Sequence, residues 1–244
     1  MKLGELKVKP PKILLMGTFG TAKTVTAASL GELAIMINMD DNLTSAKTFK
    51  DQFHDARQKM EVLDCVDDDP TAPYAFDKAR NYIKSLHKEA KEGKMKQKVM
   101  IVDGYTNLAD AAVRKVLKES GKLGQMPSQP NWGQAFLLIE EVLLDIKTMK
   151  VPVILIAHLR RVEDSDASHY EIGTPGQKLP QKIPTYFSEV WAMKAVGTTA
   201  EPKFVIQTVS DGLFNCRTSA QLKNDTDSKI GMVEIFKQLA YPLV

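Results

Sequence analysis

The octapeptide GTFGTAKT, from Gly17 to Thr24, constrains the fold more than any other part of the sequence. It follows an apolar run, Lys12 to Met16, that reads as a buried strand stopped by glycine, and it leads into a stretch from Lys23 with the apolar spacing of a helix. Strand, glycine-containing turn and helix in that order form the context of a phosphate-binding loop. Such a loop turns backbone N–H groups inward around phosphates, while its lysine supplies charge and the next hydroxyl serves as a magnesium ligand. The nucleotide-contacting residues are therefore expected to be Gly17, Thr18, Phe19, Gly20, Thr21, Ala22, Lys23, Thr24 and Val25. Ala22 departs from the usual pattern, which places glycine before the lysine. At positive φ an alanine there costs about 1–2 kcal/mol, a strain that would displace the lysine and weaken hydrolysis more than binding.

A second motif strengthens the first. Val99 to Asp103 is an apolar strand ending in an acid, an arrangement that sets a carboxylate beside magnesium or its water near Thr24. Further apolar runs at Leu33–Met39 and Val151–Ala157 alternate with helical patterns over Thr71–Gly93, Thr106–Ser120 and Asn131–Met149. This alternation predicts an α/β domain with a mainly parallel central sheet flanked by helices. Shorter strands over Tyr186–Lys194 and Lys203–Val209 extend the sheet at one edge, and Ile230–Leu239 suggests a last short helix. The expected organisation is an N-terminal extension over 1–11, a core over 12–222 with mobile loops near 118–131 and 160–184, and a C-terminal extension over 223–244.

The chain of 244 residues carries 33 Lys+Arg against 30 Asp+Glu, a net charge of +3, so no global basic field points to nucleic acid. Any polyanion contact must be local. Arg160, Arg161, Lys178 and Lys182 lie in a glycine- and proline-containing stretch and are the candidates for DNA phosphates, with Tyr170, Tyr186 and Phe187 able to stack on bases. Glu163, Asp164, Asp166 and Glu171 dilute that field. The two cysteines, Cys65 and Cys216, lack zinc-ligand spacing. No apolar stretch approaches a membrane span and the start lacks a secretory pattern, so a cytoplasmic location is expected, in the host cytoplasm for a phage-encoded chain.

On these motifs, and on Gly104–Leu108, Trp132–Gly133, Ile154–His158 and Pro175–Pro180 through Phe187, the chain resembles the RecA-fold P-loop ATPases. It is most similar to compact phage RecA-like proteins of single-strand annealing and recombination. The resemblance, spanning about Lys12 to Leu222, implies ATP and Mg²⁺ as cofactors, with Lys23 on the β/γ-phosphates, Thr24 on the metal and Asp103 on the metal through water. It implies that an acid after the second strand orients the attacking water; Asp40 and Asp41 are the candidates, with Asp41 favoured, or else a turn acid that caps local structure. His158 matches a polar sensor of the γ-phosphate, the alternative being a hydrogen-bonded strand end. Arg217 matches a basic residue that reaches a neighbouring subunit's nucleotide, against an ordinary surface ion pair. Single-stranded DNA, a homo-oligomer and a single-strand-binding protein are the implied partners. Three activities remain open: a DNA-dependent ATPase, a nucleotide-regulated DNA-binding or assembly protein with little turnover, and an ATPase that acts on a protein partner.

Overall fold

The computed structural model describes residues 8–163, 168–176, 178–198, 201–219 and 222–243. Its centre is β1 (Lys12–Gly17), every residue of which is buried. Parallel neighbours flank it on both sides, β5 (Val153–Glu163) and β7 (Glu189–Gly197), with Leu14 level with Leu155 and Val190. Beyond β5 lie β4 (Val99–Asp103), β2 (Ala34–Asn38) and the edge strand β3 (Glu61–Asp64), all parallel. Beyond β7 the sheet closes with antiparallel β8 (Pro202–Gln207) and the short β9 (Thr226–Asp227). Thus the sheet is mostly parallel and covered on both faces, as the near-continuous apolar runs require.

Alternation along β1 divides the core. Leu14 and Met16 face a cluster filled by α4 (Ala75–Lys91), α5 (Tyr105–Glu119) and α6 (Gln129–Thr148), whereas Ile13 and Leu15 face the other layer. That second layer contains α1 (Lys23–Ala27), the tight 3₁₀ turns of Ala28–Leu33 that continue it, and α8 (Gly231–Gln238). The short helices α2 (Thr44–Thr48) and α3 (His54–Gln58) fill the crossover between β2 and β3.

The strands near residues 190 and 205 extend the sheet on one side as expected, β7 pairing with β1 and β8 with β7. Two expectations change. Residues 223–243 are no appendage: Met232, Ile235, Phe236 and Leu239 form one helical stripe buried against the 3₁₀ turns, and the Met232 amide donates to Ser29 Oγ at 2.9 Å. The described part of the stretch 160–184 is no open loop either: β5 runs on to Glu163 and pairs antiparallel with β6 (Ser168–Ile172), and α7 (Leu179–Lys182) follows. Asp164 and Asp166 lie outside the described residues.

Since Phe236 is fully buried in the second layer, Phe236→Ala is expected to lower unfolding free energy by about 3–5 kcal/mol. Denaturant titration checks this, and a loss below about 1 kcal/mol would show that the C-terminal segment is peripheral.

Candidate functional site

The loop from Gly17 to Thr24 leaves the C-terminal end of β1 and enters α1. Gly17 is required by close approach: a Cβ there would lie 2.6 Å from Thr21 Oγ1 and 2.8 Å from the Met193 carbonyl oxygen. Thr21 Oγ1 donates to the Thr18 carbonyl at 2.9 Å and holds the loop curled. Ala22 sits at φ 60, ψ 22, the left-handed conformation that glycine normally supplies, and its carbonyl accepts from the Thr26 amide at 2.9 Å. The strain anticipated for alanine is therefore present.

Lys23 is only 5% exposed, and its Nζ donates to the Gly17 and Thr18 carbonyls at 3.0 and 2.8 Å. Burial lowers its pKa to about 8 against the opposing charges of Asp103 and Asp40. Asp103 ends β4 at 2% exposure, with the Thr24 hydroxyl beside it. Burial raises its pKa to about 6, the neighbouring Thr24 hydroxyl and Lys23 acting the other way. The two sequence motifs therefore meet across β5, the strand between β1 and β4. Hard oxygen donors, a hydroxyl and a carboxylate beside an ammonium, fit a small divalent cation accompanied by phosphate.

The last residue of β5's inner stretch completes this cluster. His158 Nε2 lies 3.3 Å from Asp40 Oδ2, and Phe19 stacks on the imidazole with ring centroids 4.4 Å apart. Burial and then the Lys23 charge lower the His158 pKa, while Asp40 opposes them, and Nδ1 is buried without a hydrogen-bond partner. Asp40 is placed from two sides: its amide donates to Asn38 Oδ1 at 3.2 Å, and Gly104, at φ 99, leaves room where a Cβ would press to 3.1 Å from it. Asn107 Nδ2 secures the same turn by donating to the Met39 carbonyl.

A cavity of about 280 Å³ runs along the loop past Asp40, Asn42 and His158. It shares Ala22, Val25, Phe49 and Phe204 with a larger one of about 650 Å³ that extends to Phe53, Pro202, Ser228 and Lys229. A small polar compartment joined to a larger one with aromatic walls matches phosphates followed by a nucleoside. The 49–53 wall was not legible as part of a site, since its aromatics carry no motif. Buried Arg57 fixes it by donating to the Ala46 and Phe49 carbonyls and to Asp51.

Residues 9–226 match the sequence model of the AAA domain. The chain belongs to the AAA-domain family. No curated protein sequence matches it. Among solved structures it is similar to a KaiC-like protein from the hyperthermophilic archaeon Pyrococcus horikoshii OT3, at 15% identity and a TM-score of 0.43, over 81% of this chain and 77% of that one. Family membership rests on the AAA-domain match alone.

Not every anticipated residue joins the site of this AAA domain. Asp41 is exposed and does not line the phosphate-loop cavity; it lines a recess with Asp67 and Arg114 that Asp40 also borders, so of the two candidates Asp40 is the one that reaches the loop. Arg217 pairs in the backbone with Val190, low on β7, and its guanidinium donates to the Pro184 and Phe187 carbonyls at the end of the sheet remote from the phosphate loop. Within one chain it is a structural clasp. Arg160 pairs with Glu171, Arg161 lies 3.4 Å from Glu163 and Lys182 donates to Glu140, while Lys178 is exposed. As the acids in this region suggested, its charge is largely compensated.

Relief of the left-handed alanine sets a stability expectation. Ala22→Gly removes about 1–2 kcal/mol of strain and adds about 0.5–1 kcal/mol of chain entropy cost, for a net gain of about 0.5–1 kcal/mol. Chemical denaturation of the two proteins measures it, and a clear loss would mean that the Ala22 methyl contributes more than its backbone costs.

Proposed function

We propose that this AAA domain is a Mg²⁺-dependent ATPase that acts on single-stranded DNA in recombination or annealing. The observation that carries the ATPase reading is the gathering of Lys23 and the Thr24 hydroxyl beside the buried Asp103 carboxylate, with Asp40 and His158 facing the same cavity. When bound, the metal would neutralise phosphate charge and fix the geometry of the terminal phosphoryl group. Thr24 and Asp103 would hold it.

Lys23 gives up the Gly17 and Thr18 carbonyls for phosphate oxygens, exchanging neutral acceptors for charged ones, which form stronger hydrogen bonds. Backbone amides of the loop point to the same oxygens. Asp40 orients the attacking water and His158, kept neutral by burial and by Lys23, holds the Asp40 carboxylate in place. Release of phosphate changes the contacts of His158, from which the β5–β6 hairpin continues.

For the DNA reading, support comes from the resemblance to phage recombination proteins and from this hairpin. The Gly173 amide donates to the His158 carbonyl at 2.8 Å and Thr106 Oγ1 donates to the Gly173 carbonyl at 2.8 Å, so the hairpin base is bonded to the γ-phosphate side of the cavity. Arg160, Arg161 and Lys182 would exchange their carboxylates for phosphates, with Lys178 contributing from the neighbouring turn. A homo-oligomer and a single-strand-binding protein as partner belong to the same proposal. No helix among the described residues is long and apolar enough to cross a membrane.

Phosphate release measured with and without single-stranded DNA tests the proposal. Lys23→Ala is expected to abolish DNA-stimulated turnover; Asp40→Asn is expected to lower kcat by about 10²–10⁴-fold, with Asp41→Asn within about threefold of the parent. Equal losses at both aspartates would remove Asp40 from its role. Binding of ATP without measurable turnover, unaltered by Ala22→Gly, would favour a structural nucleotide, and failure to bind DNA at low salt in either nucleotide state would leave a protein partner.

Ionised Asp103 and protonated Lys23 are both needed, so activity as kcat/KM rises as pH climbs through about 6 and falls as it passes about 8. Asp103→Asn should erase the acidic limb of that profile. An acidic limb that survives the substitution would assign it to another group.

A further inference from the structure

At the opposite end of the sheet, roughly 16 Å down β1 from the phosphate loop, a cavity of about 670 Å³ opens between the starts of β1 and β7 and the end of α6. Lys9, Lys12, Lys147 and Lys150 line it, against a net charge of only +3 for the whole chain. Glu189 is the one carboxylate on its wall, and it is spoken for: it is fully buried and accepts from the Trp191 indole, the Thr218 and Ser219 hydroxyls and the Ser219 amide. The lysine charges therefore face one another with no carboxylate among the lining residues besides Glu189, whose oxygens accept from Trp191, Thr218 and Ser219.

Lys12 shows the effect of that field. Its ammonium is buried and donates to the Pro10, Met149 and Val151 carbonyls at 3.2, 3.0 and 2.7 Å, three acceptors that use all three of its hydrogens. Burial first, and then the charge of Lys150, push its pKa down to about 7. An anion in the cavity would relieve this repulsion. Lys9, Lys147 and Lys150 are exposed and form no ion pair among the described residues. Beside them Tyr186 presents an aromatic ring, with Lys147 Nζ 5.5 Å from its centroid. The volume exceeds what a bare phosphate needs and suits a group of nucleotide size.

We propose that this basal cleft binds a nucleotide unit, with its phosphate among Lys9, Lys147 and Lys150 and its base against Tyr186. The unit is either one link of a single strand or a free nucleotide; both carry the same phosphate and aromatic base. The cleft shares no residue with the phosphate loop, so its occupancy stands apart from ATP hydrolysis.

The test uses the full chain, the double variant Lys147→Ala/Lys150→Ala and Tyr186→Ser. Fluorescence anisotropy follows a labelled oligothymidylate of about 20 nucleotides in KCl from about 50 to 200 mM, and calorimetry follows thymidine monophosphate. For strand binding, the double variant weakens oligonucleotide affinity by about tenfold or more and makes the slope of log affinity against log salt shallower by about 2. Tyr186→Ser weakens it about tenfold with the slope unchanged. For a free nucleotide, the same losses appear with thymidine monophosphate alone. Lys23→Ala leaves either kind of binding intact, which separates this cleft from the ATP site. Affinities of the double variant within about twofold of the parent for both probes, or no binding of either probe by the parent, would overturn the proposal.

Discussion

Asp103 is a carboxylate with almost no contact with water, and the Thr24 hydroxyl and the Lys23 ammonium lie beside it. That contact brings the loop after β1 to the end of β4 over the top of β5, so the position of Lys23 depends on the register of three parallel strands. Burial raises the energy of the charged carboxylate, and the nearby Lys23 lowers it again. Neither group is comfortable alone. The site is thus an arrangement of mutually dependent charges fixed by the most tightly packed part of the sheet, which is why an apolar run such as that of β1 bears on chemistry as well as on stability.

Much of this was legible from one sequence because the signals are local. The octapeptide at Gly17, the acid ending Val99–Asp103 and the apolar strands at Leu33–Met39 and Val151–Ala157 each report their own structure through composition and spacing. What escaped notice depends on partners distant in sequence. The edge strand β3 is short and mostly exposed, so its residues carry no apolar run. Whether Asp40 or Asp41 faces the loop is decided by one peptide turn, set by Asn38 and by the space left at Gly104, and periodicity does not encode a single turn. The helix α8 was legible over Ile230–Leu239 but its place in the core was not, since its docking surface, the 3₁₀ turns around Ser29, is some two hundred residues away.

Charge was the least legible property. Acids near Arg160 and Arg161 are visible in the sequence, but the pairings are not: Arg160 and Glu171 are cross-strand partners in the β5–β6 ladder, and Lys182 meets Glu140 of α6. Conversely, Lys9, Lys12, Lys147 and Lys150 are scattered through the sequence and drew no attention until the sheet gathered them at its base. The chain's modest net charge therefore conceals two unlike surfaces, one self-neutralised and one not.

The length of β5 has a mechanical consequence. Its first half, through Ala157, is clamped between β1 and β4, while the second half projects with β6 as a two-stranded ribbon of about 16 Å. His158 lies where the clamp ends, at the residue that touches Asp40, and the ribbon beyond it is held by the buried Leu159 and Ile172 and by the Tyr170 amide, which donates to the Leu213 carbonyl. Angular changes too small to disturb the packed sheet grow with distance along the ribbon, and a tilt of about five degrees at His158 carries its tip through more than an ångström over that length.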